Sequence, residues 1–264
     1  MNDWIHGLPL SWMAATIFGL TFLVGAAIHV TVTGLARGER LRAFKAVSPG
    51  MLPPLGILFG LFVGFTGAQV WSDNDRAAAA VYREASALRT ATLLSVGVPQ
   101  ETATQLRALI RRHIEEATST EWPEMANGTA TLTPTSASLA EALQAMLSLR
   151  AEGSGEQSAQ SGIITALEAA LEARRERLLI SHANVSALKW LGIILQGVCA
   201  LLAIAFVHSD NRLAAALMIG LFSIGIAVSA LMIMAYDRPF TGELAASPGP
   251  LLQVMPPAEA RSGT

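Results

Sequence analysis

Carboxylates are the first side chains here that could do chemistry. Asp73 and Asp75 stand two positions apart just past an apolar stretch, with Arg76 beside them. On a helix, residues two apart diverge by about 200°. The pair therefore cannot grip one ion within a single chain, where a hard cation asks for about six or more oxygen ligands. Repeated around a symmetry axis, each would instead form a ring, and acidic rings favour cations. Arg76 facing the axis would reverse that preference. The alternative is local pairing: Asp75 stabilising a helix start, or meeting Arg76 or a neighbouring chain.

Gln69 and Gln196 are the polar groups inside apolar stretches. An amide in lipid needs a partner, so an interhelical hydrogen bond worth roughly 0.6–2 kcal/mol is their default role. Phe59, Phe62 and Phe65 lie just upstream of Gln69. Turned toward an axis they would make a hydrophobic gate; turned outward they would meet lipid or the first span.

Other chemistries lack their residues. The histidines His6, His29, His113, His182 and His208 are scattered, and no nucleophile-elbow, Walker or zinc-ligand spacing occurs. The protein is expected not to be an enzyme and to need no cofactor or metal site. His29 has two readings, a proton relay or a ring reaching the headgroup region, and the second is the default. Cys199 is the single cysteine, which excludes an intrachain disulfide or thiolate cluster; it reads as a small buried apolar residue. A net charge of −2 excludes a globally basic nucleic-acid binder, so no nucleic-acid partner is expected.

The elements that must position these residues follow from composition. Of 264 residues 52% are hydrophobic and only 14% charged, with a mean hydropathy of +0.45. Soluble domains carry about 25% charged residues, so this is a membrane protein. Apolar stretches at about 11–33, 51–71, 190–207 and 213–236 are each close to the roughly 20 residues that cross the hydrocarbon core. Trp4 and Trp12 sit where interfacial aromatics belong. Pro53 and Pro54 suit the first turn of the second helix. Gly56, Gly60 and Gly64 recur at every fourth position and line one helix face, where another helix could approach closely. The segment 208–212 is a turn tight enough to make the last two spans antiparallel neighbours.

Residues 72–189 form a polar insert, too long for a simple loop. Its sequence predicts helices at 75–94, 101–117, 138–150 and 163–186, with Ser136 or Ser138 as a cap for the third. Glu121-Trp122-Pro123 is expected to end the second helix, and the Gly/Ser/Gln-rich stretch 152–162 to be mobile. Arg174, Arg175 and Arg177 either face anionic lipid headgroups, the default, or attract anions toward a vestibule. Residues 237–264 form an extended Pro-rich tail, with Asp237 and Arg238 pairing or docking on the insert, Pro239 fixing the turn and Phe240 following. The fold class is thus all-α: four transmembrane helices with a helical extramembrane domain inserted between spans two and three. Both termini and the insert share one side. Cations at the opposite loops (Arg37, Arg40, Arg42, Lys45 and Arg212) compete with those flanking the insert, and charge alone leaves the orientation open.

This layout resembles the bacterial bestrophin-like membrane proteins, whose activity is not established. Four features carry the resemblance: the second span running through Val70-Trp71 into an acidic helix; Glu84-Ala85 on that helix; Glu121-Trp122-Pro123; and Asp237-Arg238-Pro239-Phe240 with Gly242 after the last span. The family is similar, at a distance, to the bestrophin anion channels. The resemblance implies cytoplasmic termini and insert in a bacterial inner membrane, and a pentamer by analogy. Residues 64–84 would then take the place of the pore-lining helix and its extension. Only Glu243 follows Phe240 where bestrophins bind calcium, too few acids for such a site.

On this reading the protein is a homo-oligomeric, anion-conducting channel. Its second span lines the pore, with Phe62, Phe65, Gln69, Asp73, Asp75 and Arg76 as pore or gate candidates. Its partners are membrane lipids, further copies of the chain and inorganic ions. The alternative is a non-conducting membrane scaffold or signalling protein that uses the helical insert as a docking surface.

Overall fold

The computed structural model describes residues 7–133 and 135–257, without the side chain of Lys45. Trp4 and His6 lie outside the described residues. The chain divides into two compact units. One runs through Ser72 and resumes at Asn184–Asp237 and Gly242–Leu244; the other holds Asp73–Ala183, Arg238–Thr241 and the chain from Ala245.

The first unit is built on α1 (Leu10–Leu35), α2 (Glu39–Lys45), the opening part of α3 (Leu52–Leu94), α8 (Ala187–Val207) and α9 (Arg212–Tyr236). Four of these helices are long and apolar enough to cross a membrane. Their directions follow from two apolar layers. Val32 of α1, Leu201 and Ile204 of α8 and Ile219 of α9 form one layer, with Leu52 against it. Phe59 and Val70 of α3, Trp190 and Ile193 of α8 and Ile233 of α9 form the other. Thus α3 runs antiparallel to α1 and α8 and parallel to α9.

Small residues set the close approaches. A Cβ at Gly25 would fall 2.8 Å from Ser223 Oγ, one at Gly192 3.0 Å from the Phe62 ring, and one at Gly197 3.3 Å from Ile226. Gly56, Gly60 and Gly64 behave differently: nothing in this chain lies within 4 Å of a Cβ added there. Cys199 is exposed on α8, not buried as the sequence suggests, because its position falls on the outward side of that helix. His29 is half-buried and its Nδ1 is enclosed.

The second unit is a helical bundle of the α3 stalk, α4 (Gln100–Glu116), α5 (Trp122–Ala126), α6 (Ala137–Ser148), α7 (Ser154–Ile180) and α10 (Gly249–Gln253). Its core includes Val81, Leu88, Leu106, Ile110, Leu139, Met146, Ile163, Leu167 and Leu251. The stalk is the direct continuation of the second span: α3 is one helix of 43 residues, about 65 Å long at 1.5 Å per residue. Ser136 caps α6, accepting from the Leu139 amide at 3.4 Å.

Three local expectations need correction. Glu121-Trp122-Pro123 does not end a helix. Pro123 has no N–H to give the preceding turn, and the chain widens there into a π-turn, Ala117–Glu121, before continuing as α5. The hydroxyls of Thr118 and Ser119 bond back to the carbonyls of Ile114 and Glu115 at 2.8 and 2.7 Å, a local competition that bends helices. The stretch 152–162 is not a free loop, since α7 begins at Ser154 and Glu156 accepts from the Glu152 amide. The tail is not simply extended. Residues Gly249–Gln253 form a helical turn, and Leu251 is fully buried in the second unit.

Gly97 marks how tightly that unit is packed, because an added Cβ would stand 2.6 Å from the Cβ of Ala159. Neither atom can rotate away. Gly97→Ala should cost about 1–3 kcal/mol, read as a lowered unfolding midpoint of the detergent-solubilised protein. Gly155→Ala, which meets nothing within 4 Å, should leave the midpoint unchanged or slightly raised.

Candidate functional site

The candidate pore residues sit on an uncovered face of α3. Ile57, Leu58, Gly60, Leu61, Gly64, Phe65, Ala68 and Gln69 are all exposed in the protomer, recurring at the three-to-four spacing of one helix face. Phe65 is 73% exposed. Phe62 lies to the side, half-buried with its ring against Gly192, while Phe59 packs on Phe222 with centroids 5.7 Å apart. Gln69 Oε1 accepts from Lys189 Nζ of α8. Just beyond the span, Asp73 is half-buried and pairs with Arg76 at 3.5 Å, whereas Asp75 is exposed. Asp73, not Asp75, is therefore Arg76's partner, as expected of residues three apart on a helix. The structure groups Gly60, Gly64, Phe65 and Gln69 on one face and leaves Phe62 off it.

A second arrangement lies wholly within the bundle, around Arg177. Its side chain is fully buried. Nε meets Glu84 Oε2 at 2.7 Å, and Nη2 meets Glu121 Oε2 at 2.8 Å and Glu84 Oε1 at 3.2 Å. Arg174, also buried, binds Glu121 Oε1 at 2.8 Å. The guanidinium of Arg177 lies 5.2 Å from the Trp122 ring centroid, and Trp122 meets Phe240 edge-on at 5.5 Å. Two arginines and two glutamates make the centre neutral, which is what lets charge persist away from water.

The network extends through His113, which is likewise buried. Nε2 lies 2.8 Å from Glu84 Oε1 and Nδ1 2.9 Å from Ser136 Oγ. A carboxylate only accepts, so Nε2 carries a proton toward Glu84, while Nδ1 hydrogen-bonds the Ser136 hydroxyl. Ser138 then donates to Glu116 at 3.1 Å. Burial pushes the Glu84 carboxyl up, but Arg177 and the hydrogen bonds from His113 and Arg177 outweigh this and hold it at about 2. Glu121 is lowered despite its own burial, chiefly by Arg177 and then Arg174. Burial pulls Arg177 down, and the two glutamates reverse the effect and raise it.

These contacts overturn the expectation that Arg174 and Arg177 face lipid headgroups; of the three arginines only Arg175 is exposed. Sequence reasoning also passes over His113. A signal is present in the spacing. Arg174 and Arg177 extend the apolar stripe Ile163, Leu167, Ala170; Glu84 falls in the stripe Ala77, Val81, Leu88; and His113 continues Leu106, Ile110. A charge at a stripe position has to be buried with a partner. Among the described residues no three His, Cys, Asp or Glu side chains are placed to share a metal ion.

The tail joins the same core. Phe240 is buried on Trp122, Thr241 Oγ1 donates to the Ala126 carbonyl at 2.7 Å, and Ala246 N donates to Pro239 O at 2.7 Å. Gly242 adopts φ +90°, where a side chain would be strained. In the first unit, Asp237 Oδ1 accepts from the Val185 amide at 2.5 Å.

Comparison with known proteins places this arrangement. The family model of the Bestrophin-like domain matches residues 19–251. The chain belongs to the Bestrophin-like family. Its fold is that of a crystallised bacterial bestrophin homologue from Klebsiella pneumoniae, solved as a point mutant. The two share a TM-score of 0.70 at 12% identity, over 92% of this chain and 96% of that one. None of the curated proteins matches the chain. This Bestrophin-like protein is accordingly an all-α membrane protein.

The buried centre makes two measurable demands. Arg177→Met leaves Glu84 and Glu121 short of their main partner and should cost about 3–5 kcal/mol, whereas adding Glu84→Gln should recover part of that loss. The Glu84 carboxyl titrates well below its ordinary 4.5, so its stabilisation is complete above about pH 5 and drains away as pH falls toward 2. Unfolding midpoints of the solubilised protein should fall across that window, and Glu84→Gln should flatten the fall.

Proposed function

We propose that the protein is a homo-oligomeric ion channel, conducting anions, in which α3 of each copy faces the axis. One observation carries this reading. A helix of membrane-spanning length keeps a face, Gly60, Gly64, Phe65 and Ala68 included, exposed in the protomer, and no atom of this chain comes within 4 Å of a Cβ added at either glycine. Lipid alone would not call for glycines there, since small residues matter where another backbone comes close. Copies of α3 around an axis use both features: the glycines admit the neighbouring helix, and the remaining side chains line a path. The resemblance to the bestrophin anion channels supports the same choice, with the insert and termini in the cytoplasm.

Within this reading Phe65 is the gate. Its ring is the large apolar group most exposed on the membrane-spanning part of α3, and hydrophobic constrictions close a pore by excluding water. Phe62, held against Gly192, is a packing residue. Asp75 and Arg76 stand exposed past the end of the span. Asp73 holds Arg76 from the side, leaving Asp75 as the carboxylate more open to passing ions.

The test is chloride flux into liposomes containing purified protein at known copy number. Flux should scale with protein, rise several-fold in Phe65→Ala, and gain anion preference in Asp75→Ala. Phe62→Ala should lower the yield of folded protein without opening the pore. Absence of flux across pH, calcium and voltage, with the protein folded, would sink the channel reading and favour a membrane scaffold that docks partners on the helical bundle.

A further inference from the structure

The short connection between the first two spans is more than a loop. After α1 ends at Leu35, the chain turns at Gly38, whose φ of +55° with ψ of −128° suits only glycine. It then forms α2, seven residues long. Phe44 anchors that helix: its ring stacks on Phe206 at the C-terminal end of α8 with centroids 4.9 Å apart, and it packs on the layer holding Val32 and Leu52. Leu41 is half-buried as well, whereas Arg37, Glu39, Arg40 and Arg42 are exposed. A helix with this division lies along the boundary between hydrocarbon and water, apolar side inward and charges among the headgroups.

Between the last turn of α1 and the start of α2 lies an open cup of about 540 Å³, lined by Gly34, Leu35, Arg37, Glu39 and Arg40. No side-chain hydrogen bond or ion pair among the described residues engages the guanidinium groups of Arg37, Arg40 or Arg42. Several arginines elsewhere are tied down: Arg83 meets Glu176, Arg111 meets Glu115, Arg112 meets Glu141, and Arg174 and Arg177 are buried among glutamates, whereas Arg89, Arg150 and Arg175, like the arginines here, have no such partner among the described residues. Along the two connections at this end of the spans, Arg37, Arg40, Arg42, Lys45 and Arg212 outnumber Glu39 and Asp210 in the sequence.

We propose that this cup binds the headgroup phosphate of an anionic phospholipid, held between Arg37 and Arg40. The chemistry fits phosphate because guanidinium groups present paired N–H donors that match its oxygens. The position fits a lipid. The lining of the cup includes Gly34 and the 42% exposed Leu35, at the end of a helix long and apolar enough to span a membrane, so a glycerol backbone and acyl chains would continue down the apolar surface of α1. Glu39 on the rim disfavours a second negative group, which selects a single phosphate over a polyanionic one. The inference goes beyond conduction and holds whether or not the protein passes ions.

The experiment uses the full chain in phosphatidylcholine nanodiscs doped with photo-crosslinkable phosphatidylglycerol or phosphatidylcholine. The wild-type protein should label preferentially with the anionic probe, on a peptide containing residues 34–40. Replacing both arginines, Arg37→Gln with Arg40→Gln, should lower that preference at least about fivefold, whereas Arg37→Lys with Arg40→Lys should keep most of it. Chloride flux and unfolding midpoint provide separate readouts, which neither pair should move. Unchanged labelling in the glutamine pair would overturn the site. Equal displacement by millimolar glycerol phosphate would also overturn the lipid assignment, leaving a soluble anion as the ligand.

Discussion

A fully buried arginine is the constraint on which the extramembrane bundle depends. Removing Arg177 from water costs several kcal/mol, and only a dense set of partners offsets that cost. Those partners come from separate parts of the chain: Glu84 from the α3 stalk, Glu121 and Trp122 from the π-turn and α5, and, through Glu84, His113 from α4. Each arm has a fixed direction because hydrogen bonds to a guanidinium are planar and forked. The interaction therefore specifies how four elements meet, a task that apolar packing alone performs less strictly. The π-turn has a role in this. One extra residue in a helix rotates the downstream turns about its axis. Here Glu121 reaches the arginines while Trp122 covers Arg177 and receives Phe240 from the tail.

In the proposed assembly that centre bears on function, because Glu84 belongs to the same helix as the open face. A long helix carrying a free side can bend or rotate, and a pore wall must do neither at random. Glu84 fixes the stalk in the bundle, while Phe59 and Val70 pack the preceding span on α8 and α9. In the proposed assembly the open face of α3 meets the axis and its neighbours.

Much of the fold can be read from the sequence, for physical reasons. Uninterrupted apolar stretches declare the four spans, and the absence of breakers after Trp71 declares the continuous helix. The site is harder. Phe62 and Phe65 carry the same ring three positions apart, yet Gly192 claims one and leaves the other exposed, and only the tertiary partner decides that. Arg174, Arg175 and Arg177 look like a basic run, the usual mark of a lipid surface. Their neighbours at helical spacing separate them: Arg174 and Arg177 share the phase of Ile163 and Leu167, and Arg175 does not. Glu121-Trp122-Pro123 misleads for a related reason. Proline reads as a stop, whereas a widened turn absorbs its missing donor.

Composition and phase therefore answer different questions about charge. A cluster counted along the chain suggests an electrostatic surface, and both the 37–42 and 174–177 clusters qualify. Phase then divides them. In α7 two of the cations fall among buried positions and are matched by carboxylates from other elements. Around α2 the apolar positions, Leu41 and Phe44, are separate from the cations, so packing leaves the arginines outside, with no ion pair to them among the described residues. The first pattern is a structural device that cements a bundle, and the second is a surface whose counter-charge must come from its surroundings. At the end of two helices long and apolar enough to span a membrane, the proposed surroundings are the phosphates of the bilayer.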